Sequence, residues 1–282
     1  MNSSTRLEDE VSQKRLLNKV IVITGGAGLL GQEHAKAVLS EGGTAILLDI
    51  DFDGLVHASI DLVVEYGTKV VLRQCDITND EAVSKISLEL NSSVGVPCGL
   101  VNNAAINPSV EKNTATFSRV ESINYEEWKL HLDVGLYGAF LCSKVFGAAM
   151  IENGISGSIV NISSDHGIMA PNQSLYRISG KPDSEQPVKP VMYSVVKHGL
   201  IGLSRYFATY WATSGIRTNS LCPGGVLNGQ PEEFLQRFNQ LVPLGRPANP
   251  NEYHGALLFL LSDDSTYMTG GTLVIDGGRS SW

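Results

Sequence analysis

The feature that most constrains the fold is an alternation along the chain of short apolar runs and longer runs with helical periodicity. The first apolar run, Val20 to Ile23, is β-branched and is followed by glycines and then by a helical run from Leu29 to Ser40. Short runs that are apolar throughout are typical of strands buried on both faces. Strands that alternate with helices pair in parallel through right-handed crossovers. We therefore predict an α/β fold, a Rossmann-type doubly wound parallel sheet with helices on both faces.

The same alternation continues without a linker or a repeat to the end of the chain. Strands are predicted at 20–23, 45–48, 69–74, 99–101, 158–162, 217–221 and 272–275, and helices at 29–40, 52–66, 81–90, 125–150, 193–212 and 251–261. We expect a single domain over residues 17–282, preceded by a flexible tail over residues 1–16. The tail is polar and charged, which is unlike a secretory signal, and no apolar run reaches the roughly 20 residues of a membrane span.

Composition and charge exclude several classes of protein. A formal net charge of -8 argues against nucleic-acid binding, which needs a basic face. The four cysteines are scattered without metal-like spacing, and the histidines form no pattern with carboxylates or cysteines. We expect reduced thiols, a cytoplasmic location and no metal site.

A glycine-rich turn joins the first strand to the first helix. Its sequence is TGGAGLLG (24–31), with glycines at 25, 28 and 31. Such glycines permit a tight turn and let the backbone approach a pyrophosphate that rests on the helix N-terminus. We expect a dinucleotide to bind here, in contact with Gly25, Gly28, Leu29, Leu30 and Gly31.

Polar residues follow the next strands at the edge where such a ligand binds. Asp49 ends the second strand, 24 residues after Gly25. A carboxylate at this position accepts hydrogen bonds from the adenosine ribose and repels a 2′-phosphate, so NAD is expected in preference to NADP. Asp76 and Ile77 suit an adenine, and the small side chains of Ala104 and Ala105 leave room for a ribose.

Tyr193 and Lys197 are spaced so that their side chains share one face of a helix. A free tyrosine titrates near 10, but a nearby ammonium and the positive nicotinamide of NAD⁺ lower its pKa. The pair is therefore a candidate general acid–base.

Taken together, these motifs resemble the short-chain dehydrogenase/reductase family, over about residues 17–278. The shared motifs are the glycine turn, Asp49, Asp76, NNAA (102–105), VNISS (160–164), YSVVK (193–197), IRTN (216–219), PGGV (223–226) and VIDGG (274–278). The resemblance implies an NAD(H)-dependent oxidoreductase that interconverts a secondary alcohol and a ketone or aldehyde.

The resemblance also assigns roles to individual residues. Ser164 would bind the substrate oxygen, Tyr193 would exchange the proton, and Lys197 would bind the nicotinamide ribose and lower the pKa of Tyr193. Asn103 would lie along the cofactor. The turn Pro223, Gly224 and Val226 would back the nicotinamide.

The chain departs from the family pattern at three places. Leu29 stands where compact members have a second glycine. Gly135 stands where the family has a helical Asn that anchors a proton-relay water, so the relay must differ. Ser164 and Tyr193 are separated by 29 residues, more than is usual, because of a proline-rich segment at 171–190.

The long segment at 171–190 is predicted to contact the substrate, because compact domains rarely need so long a connection. His166, Tyr176 and Arg177 are candidate substrate residues. This region most resembles members associated with flagellin or nonulosonic-acid sugar pathways, which implies a polar, sugar-like substrate.

Two other functions remain open from the sequence. One is an NAD-retaining sugar epimerase or dehydratase, suggested by the spacing of the glycines. The other is a cofactor-binding protein without turnover, suggested by Gly135. The family resemblance further implies a homotetramer or a homodimer built on the two long helices.

Overall fold

A computed structural model describes residues 14–107 and 119–282, and its core is one parallel sheet. The strands are β1 (Val20–Thr24), β2 (Thr44–Asp49), β3 (Val70–Gln74), β4 (Gly99–Asn102), β5 (Gly157–Ile162), β6 (Ile216–Pro223) and β7 (Thr272–Ile275). Their order is β3-β2-β1-β4-β5-β6-β7, and every neighbouring pair is parallel. The order reverses direction between β1 and β4, and ligands bind at such a switch point in open α/β sheets. The predicted doubly wound fold is confirmed.

Helices cover both faces of the sheet. They are α1 (Leu29–Ser40), α2 (Phe52–Ala58), α3 (Ile60–Tyr66), α4 (Asp80–Ser93), α5 (Tyr125–Leu132), α6 (Gly138–Glu152), α7 (Val191–Tyr210), α8 (Glu232–Asn239) and α9 (His254–Leu261). One apolar cluster packs α1 and α9 against one face of the sheet, and a second packs α4 and α6 against the other. The sheet is therefore buried on both sides, as its apolar strands predicted.

Two predicted segments differ in detail from the structure, and one helix was not predicted. The helix predicted at 52–66 is two helices that meet at Ser59, whose buried hydroxyl accepts a hydrogen bond from Gln32 Nε2 at 2.9 Å. The segment at 251–261 begins with a 3₁₀ turn before α9. Helix α8 was not predicted, because its eight residues are mostly polar and lie in a long connection.

The N-terminal boundary of the domain also needs correction. Residues 1–13 of the predicted tail lie outside the described residues. Leu16, however, is fully buried in the core, and its N–H donates to Glu41 O at 3.1 Å. The ordered domain therefore includes the last residues of the segment predicted as a tail.

The helix predicted at 125–150 is interrupted by a π-helical segment over Asp133–Tyr137, between α5 and α6. The residues Tyr125–Glu152 are long and apolar enough to cross a membrane by length and composition alone. However, 56% of the most apolar 18-residue stretch within them is buried inside the protein, as in the core helix of a globular fold. Gly135 lies in the π segment and faces α7. A Cβ at this position would lie 2.5 Å from Val196 Cγ1, so close packing of the two helices requires glycine here.

Candidate active site

The glycine turn between β1 and α1 is shaped by contacts within the protein at three of its four glycines. A Cβ on Gly26, which lies outside the predicted set, would lie 2.8 Å from Leu47 Cβ. Gly25 has φ +66°, and a Cβ there would lie 2.8 Å from Ala104 Cα. A Cβ on Gly31 would lie 2.2 Å from Gly25 O. At Gly28 the nearest atom to such a Cβ is Gly25 O at 3.4 Å, an ordinary contact. The protein itself therefore requires glycine at 25, 26 and 31, whereas glycine at 28 keeps the exposed side of the turn open.

The helix that follows this turn presents free backbone donors. Gly28 is its N-cap residue, and no side chain caps the helix. Leu29 is 40% exposed, and Leu30 is half-buried beside it. An uncapped N-terminus next to an open glycine fits the pyrophosphate of a dinucleotide.

Asp49 is held at the end of β2 with its carboxylate beside the turn. Its Oδ2 accepts from the Ala27 N–H at 3.0 Å, and its Oδ1 accepts from the Asp51 N–H at 3.1 Å. Each carboxylate oxygen has further acceptor capacity. The side chain is thus fixed in position and can still accept from ribose hydroxyls.

Asp76 and Ile77 follow β3 and differ in exposure. Asp76 is exposed, and its Oδ1 accepts from the backbone and the hydroxyl of Thr78, at 2.9 and 2.7 Å. Ile77 is buried against Gly138 of α6, where a Cβ would lie 2.7 Å from Ile77 Cδ1. The carboxylate lies at the predicted edge of the sheet, while the isoleucine mainly packs against α6.

The residues after β4 tie this strand to the glycine turn. Asn103 Nδ2 donates to Thr24 O and Gly25 O at 3.0 and 3.1 Å, and the Ala104 N–H donates to Thr24 Oγ1 at 3.1 Å. Ala105, also predicted to contact the cofactor, follows at the same edge. Asn103 therefore fixes the turn, a role in the protein itself that the sequence did not predict.

Ser164 and Tyr193 lie together beyond the end of β5. Burial raises the pKa of Tyr193 to about 12, and hydrogen bonding by Ser164 lowers it only in part. The negative charge of Asp165 raises it further. The expected lowering of this pKa is therefore not a property of the protein alone, because burial outweighs the favourable hydrogen bond.

Lys197 lies on the same face of α7 as Tyr193, with its Nζ 5.6 Å from the centre of the tyrosine ring. The ammonium is buried and donates to Ile162 O at 2.7 Å. Desolvation, assisted by the positive charge of Lys189, lowers the pKa of Lys197 to about 8. The predicted serine, tyrosine and lysine thus converge at the carboxyl edge of the sheet.

Two buried charged residues support the serine, and sequence reasoning missed both. Asp165 Oδ1 accepts from Ser164 Oγ at 2.7 Å and from the His166 N–H at 2.8 Å. Asp165 Oδ2 accepts from Arg279 Nη1 at 2.5 Å, and both side chains of this ion pair are 4% exposed. An Asp next to the motif serine was the available signal, but nothing local indicated an arginine 114 residues away.

The segment at 171–190 brings a second lysine to the site. Lys189 Nζ lies 3.9 Å from the centre of the Tyr193 ring and donates to Asn107 Oδ1 at 2.7 Å. The segment is held in shape by Gln186, whose side-chain amide bonds to both backbone groups of Ile178 and to Lys181 O. Lys189 thus brings this segment, which was predicted to contact the substrate, against the candidate catalytic residue Tyr193.

The candidate substrate residues fall into two groups. His166 is buried, and its ring is edge-on to Tyr193 with centres 6.0 Å apart. Tyr176 and Arg177 instead line a cleft of about 140 Å³ between the segment and α8, whose lining includes Phe234 and Arg237 but none of the three catalytic candidates. Arg177 also pairs with Asp183. Of the three candidate substrate residues, the structure therefore places His166 next to Tyr193, and the other two away from it.

The turn after β6 is packed as closely as the glycine turn. A Cβ on Gly224 would lie 2.7 Å from Asp276 Cα, and Gly224 O accepts from the Tyr253 hydroxyl at 3.3 Å. Pro223 ends β6, and Val226 forms an isolated parallel bridge with Ala248. These contacts fix the turn at the carboxyl end of β6.

Comparison with known proteins adds a family to this geometry. Residues 19–181 match the family described as short chain dehydrogenase, and residues 184–280 match the family described as enoyl-(acyl carrier protein) reductase. Together the two matches cover nearly all of the domain.

Relatives and solved structures agree with these matches. The chain is 30% identical over 270 residues to 2,5-dichloro-2,5-cyclohexadiene-1,4-diol dehydrogenase of Sphingobium indicum, covering 93% of this chain and 97% of that protein. It is 30% identical over 263 residues to post-translational flagellin modification protein A of Campylobacter coli, covering 93% and 98%. A short-chain dehydrogenase of Leptospira borgpetersenii with bound NAD⁺ superimposes with a TM-score of 0.79 at 30% identity, covering 95% of each chain.

Proposed function

This chain belongs to the short-chain dehydrogenase/reductase family, and on that premise we propose that it is an NAD(H)-dependent dehydrogenase of a polyhydroxylated, sugar-like secondary alcohol. Membership of the family makes it an oxidoreductase that interconverts a secondary alcohol and a carbonyl. The observation that carries the proposal is the convergence of Ser164, Tyr193 and Lys197 at the carboxyl edge of the sheet.

The glycine turn, the open N-terminus of α1 and Asp49 fit the pyrophosphate and adenosine ribose of NAD. The turn Pro223, Gly224 and Val226 would lie against the nicotinamide, which accepts or gives the hydride when bound. Asp49 supports NAD over NADP, because its carboxylate would repel a 2′-phosphate. The NAD⁺ bound to the Leptospira relative is in keeping with this preference.

The proton chemistry belongs to the residues of the chain. In oxidation, Tyr193 takes the proton of the substrate hydroxyl, and Ser164 fixes the oxygen that carries it. Lys197 binds the nicotinamide ribose, and its positive charge favours the phenolate form of Tyr193 once the site is assembled. The pKa of about 12 in the protein alone makes this help necessary, because a phenol with so high a pKa is a poor base near neutral pH.

The substrate class rests on two relatives and on the site itself. One relative is named for the oxidation of a cyclic diol and the other for flagellin modification. The side chains around Tyr193 are polar, which suits a substrate with several hydroxyls. They come from Ser164, His166, Lys189 and Asn107. His166 is the side chain best placed to contact it.

The test is a screen of vicinal diols and polyols (1,2-cyclohexanediol, xylitol, D-arabinitol and D-glucitol) with NAD⁺ and NADP⁺, followed by NADH or NADPH absorbance. We expect turnover with at least one polyol, at a much higher kcat/KM for NAD⁺, and Asp49→Ala should narrow the gap between the cofactors. Equal use of NADP⁺ by the wild type would overturn the cofactor assignment. Reduction of the nicotinamide that persists in Tyr193→Phe would overturn the active site.

We also propose a cytoplasmic homotetramer or homodimer. Aromatic side chains are exposed along the α5–α6 tract and α7, among them Tyr137 at 43%, Tyr206 at 58% and Tyr210 at 65%. Exposed aromatic patches of this kind mark contacts between subunits. Light scattering of the purified protein tests this, and Tyr206→Glu with Tyr210→Glu should shift it to a smaller species.

A further inference from the structure

The catalytic serine is bonded in a way that fixes the direction of its hydrogen bonds. Asp165 is a carboxylate and only accepts, so Ser164 Oγ must donate its single hydrogen to Asp165 Oδ1, at 2.7 Å. The serine oxygen in turn accepts from the His166 N–H at 3.2 Å. With its hydrogen held by Asp165, Ser164 presents its oxygen to the site as an acceptor.

The carboxylate that takes this hydrogen is itself held by the C-terminal segment. Arg279 follows β7 in a turn fixed by Asp276, whose carboxylate accepts from the backbone N–H groups of Gly278 and Ser280. The guanidinium reaches Asp165 through Nη1, and Phe238 lies 5.2 Å from its centre. Asp165 and Arg279 are both buried, so each charge depends on the other for compensation.

We propose that the Asp165–Arg279 pair is a positioning unit for the reaction: Asp165 holds the hydrogen of the Ser164 hydroxyl so that the serine oxygen accepts from the substrate hydroxyl, and Arg279 neutralises Asp165. This inference rests on the proposed function of Ser164 and Tyr193. It adds two residues that touch neither substrate nor cofactor and act through Ser164.

The two members have opposite effects on the charge near Tyr193. The negative charge of Asp165 raises the pKa of Tyr193, so loss of Asp165 lowers this pKa. Loss of Arg279 alone leaves Asp165 uncompensated and raises it further. The oxidation rate requires the phenolate, so it rises with pH through the pKa of Tyr193. Its acid limb should therefore move to lower pH without Asp165 and to higher pH without Arg279.

The experiment compares Arg279→Met with two double variants, Asp165→Asn/Arg279→Met and Asp165→Leu/Arg279→Met. The asparagine keeps an oxygen acceptor for Ser164, whereas the leucine does not. Both doubles remove the buried charge, so both should regain the thermal stability that Arg279→Met loses. A control is Arg73→Met/Glu89→Gln, which removes a half-buried ion pair (Nε–Oε1 2.7 Å) at the opposite end of the sheet.

We measure Tm, kcat against pH with NAD⁺ and the best polyol of the screen, and the tyrosinate absorbance of the NAD⁺-saturated enzyme relative to Tyr193→Phe. On the plateau of the pH profile, where Tyr193 is ionised in every variant, kcat should fall about tenfold in the leucine double and stay within about threefold in the asparagine double, since one lost hydrogen bond of ~1.4 kcal/mol is a factor of ten. The acid limb and the tyrosinate titration should move to lower pH in both doubles, because the negative charge of Asp165 raises the pKa of Tyr193.

A purely structural pair would give a different pattern. Wild-type kcat and an unmoved Tyr193 titration in the stable leucine double would overturn the proposal, as would equal loss of kcat in the two doubles. The test does not require Arg279→Met to fold, because the comparison of the two double variants with the wild type decides between the two roles. If Tyr193→Phe kept full activity, the proposed function would fail instead, and the titration of Tyr193 would still report on the pair.

Discussion

The two halves of the site are built in different ways. At the cofactor end, Gly25, Asn103 and Asp49 are fixed by backbone groups of neighbouring strand ends, and the key positions carry small or acidic residues. At the catalytic end, Ser164 depends on side chains that reach it from far along the chain, above all Arg279. The cofactor end is thus specified by local geometry and the catalytic end by long-range contacts between buried polar groups.

The comparison predicts that the largest effect follows from a change at the catalytic end. Tyr193→Phe keeps the ring and removes only the hydroxyl, so kcat should fall by about 10² or more while NAD⁺ binding persists. The loss of activity is checked by measuring kcat with the best polyol, and the persistence of NAD⁺ binding by measuring its affinity by fluorescence or calorimetry. Loss of NAD⁺ binding in this variant would show that the two ends are not separable.

Two glycines of the same turn should respond differently to the same substitution. Gly31→Ala places a Cβ 2.2 Å from Gly25 O and should destabilise the fold, whereas Gly28→Ala meets only an ordinary contact. We expect Gly28→Ala to keep the wild-type Tm and to raise the KM for NAD⁺ about tenfold, because its Cβ enters the space of the pyrophosphate. If Gly28→Ala lowered the Tm as much as Gly31→Ala, glycine at 28 would be required by the fold, and its exposed side would not be evidence for a bound pyrophosphate.

At Gly135 the structure and the sequence lead to different expectations for the same substitution, Gly135→Asn. The family pattern suggests that Gly135→Asn should be tolerated or even activating. Since a Cβ here would lie 2.5 Å from Val196 Cγ1, we now expect Gly135→Asn to lose about 1–3 kcal/mol of stability through overpacking. Denaturant unfolding measures this, and Val196→Ala in the same chain should restore part of the loss. An unchanged free energy of unfolding would mean that α5–α6 and α7 can separate without cost.

The features that the sequence predicts are those specified by local signals, and the features that it does not predict depend on long-range contacts. The ends of α1 and β7 were predicted to the residue, and Ser164, Tyr193 and Lys197 were identified from their motifs, because these signals are local. The Asp165–Arg279 pair was not predictable, since it joins residues 114 positions apart. The π segment at 133–137 depends on packing against Val196, and the position of Lys189 depends on the path of the 171–190 segment.

The 171–190 segment is better tested by point substitutions than by replacement of the whole segment. Leu175 is 1% exposed and packs with Phe238 and Val242 beneath α8, so deletion would disturb the fold. A deletion of the segment would therefore change stability as well as substrate binding, and its effect on the substrate could not be read separately. A single side chain, Lys189, makes the contact with Tyr193.

The smallest effect is expected from Lys189→Met, and it should appear mainly in the pH profile. Lys189 contributes to the lowered pKa of Lys197, about 8, and Lys197 must stay charged to bind the ribose and favour the phenolate. A group with a lowered pKa loses its charge earlier as pH rises, so removal of Lys189 should raise that pKa and move the alkaline limb of kcat/KM to higher pH. We expect kcat at neutral pH to change less than about fivefold, because Lys197 is already mostly charged there. Lys189→Arg keeps the positive charge and should keep the wild-type alkaline limb. If the alkaline limb moved equally in the arginine and methionine variants, the shift would come from the shape of the segment and not from the charge of Lys189. If it moved in neither variant, Lys189 would have no effect on the pKa of Lys197.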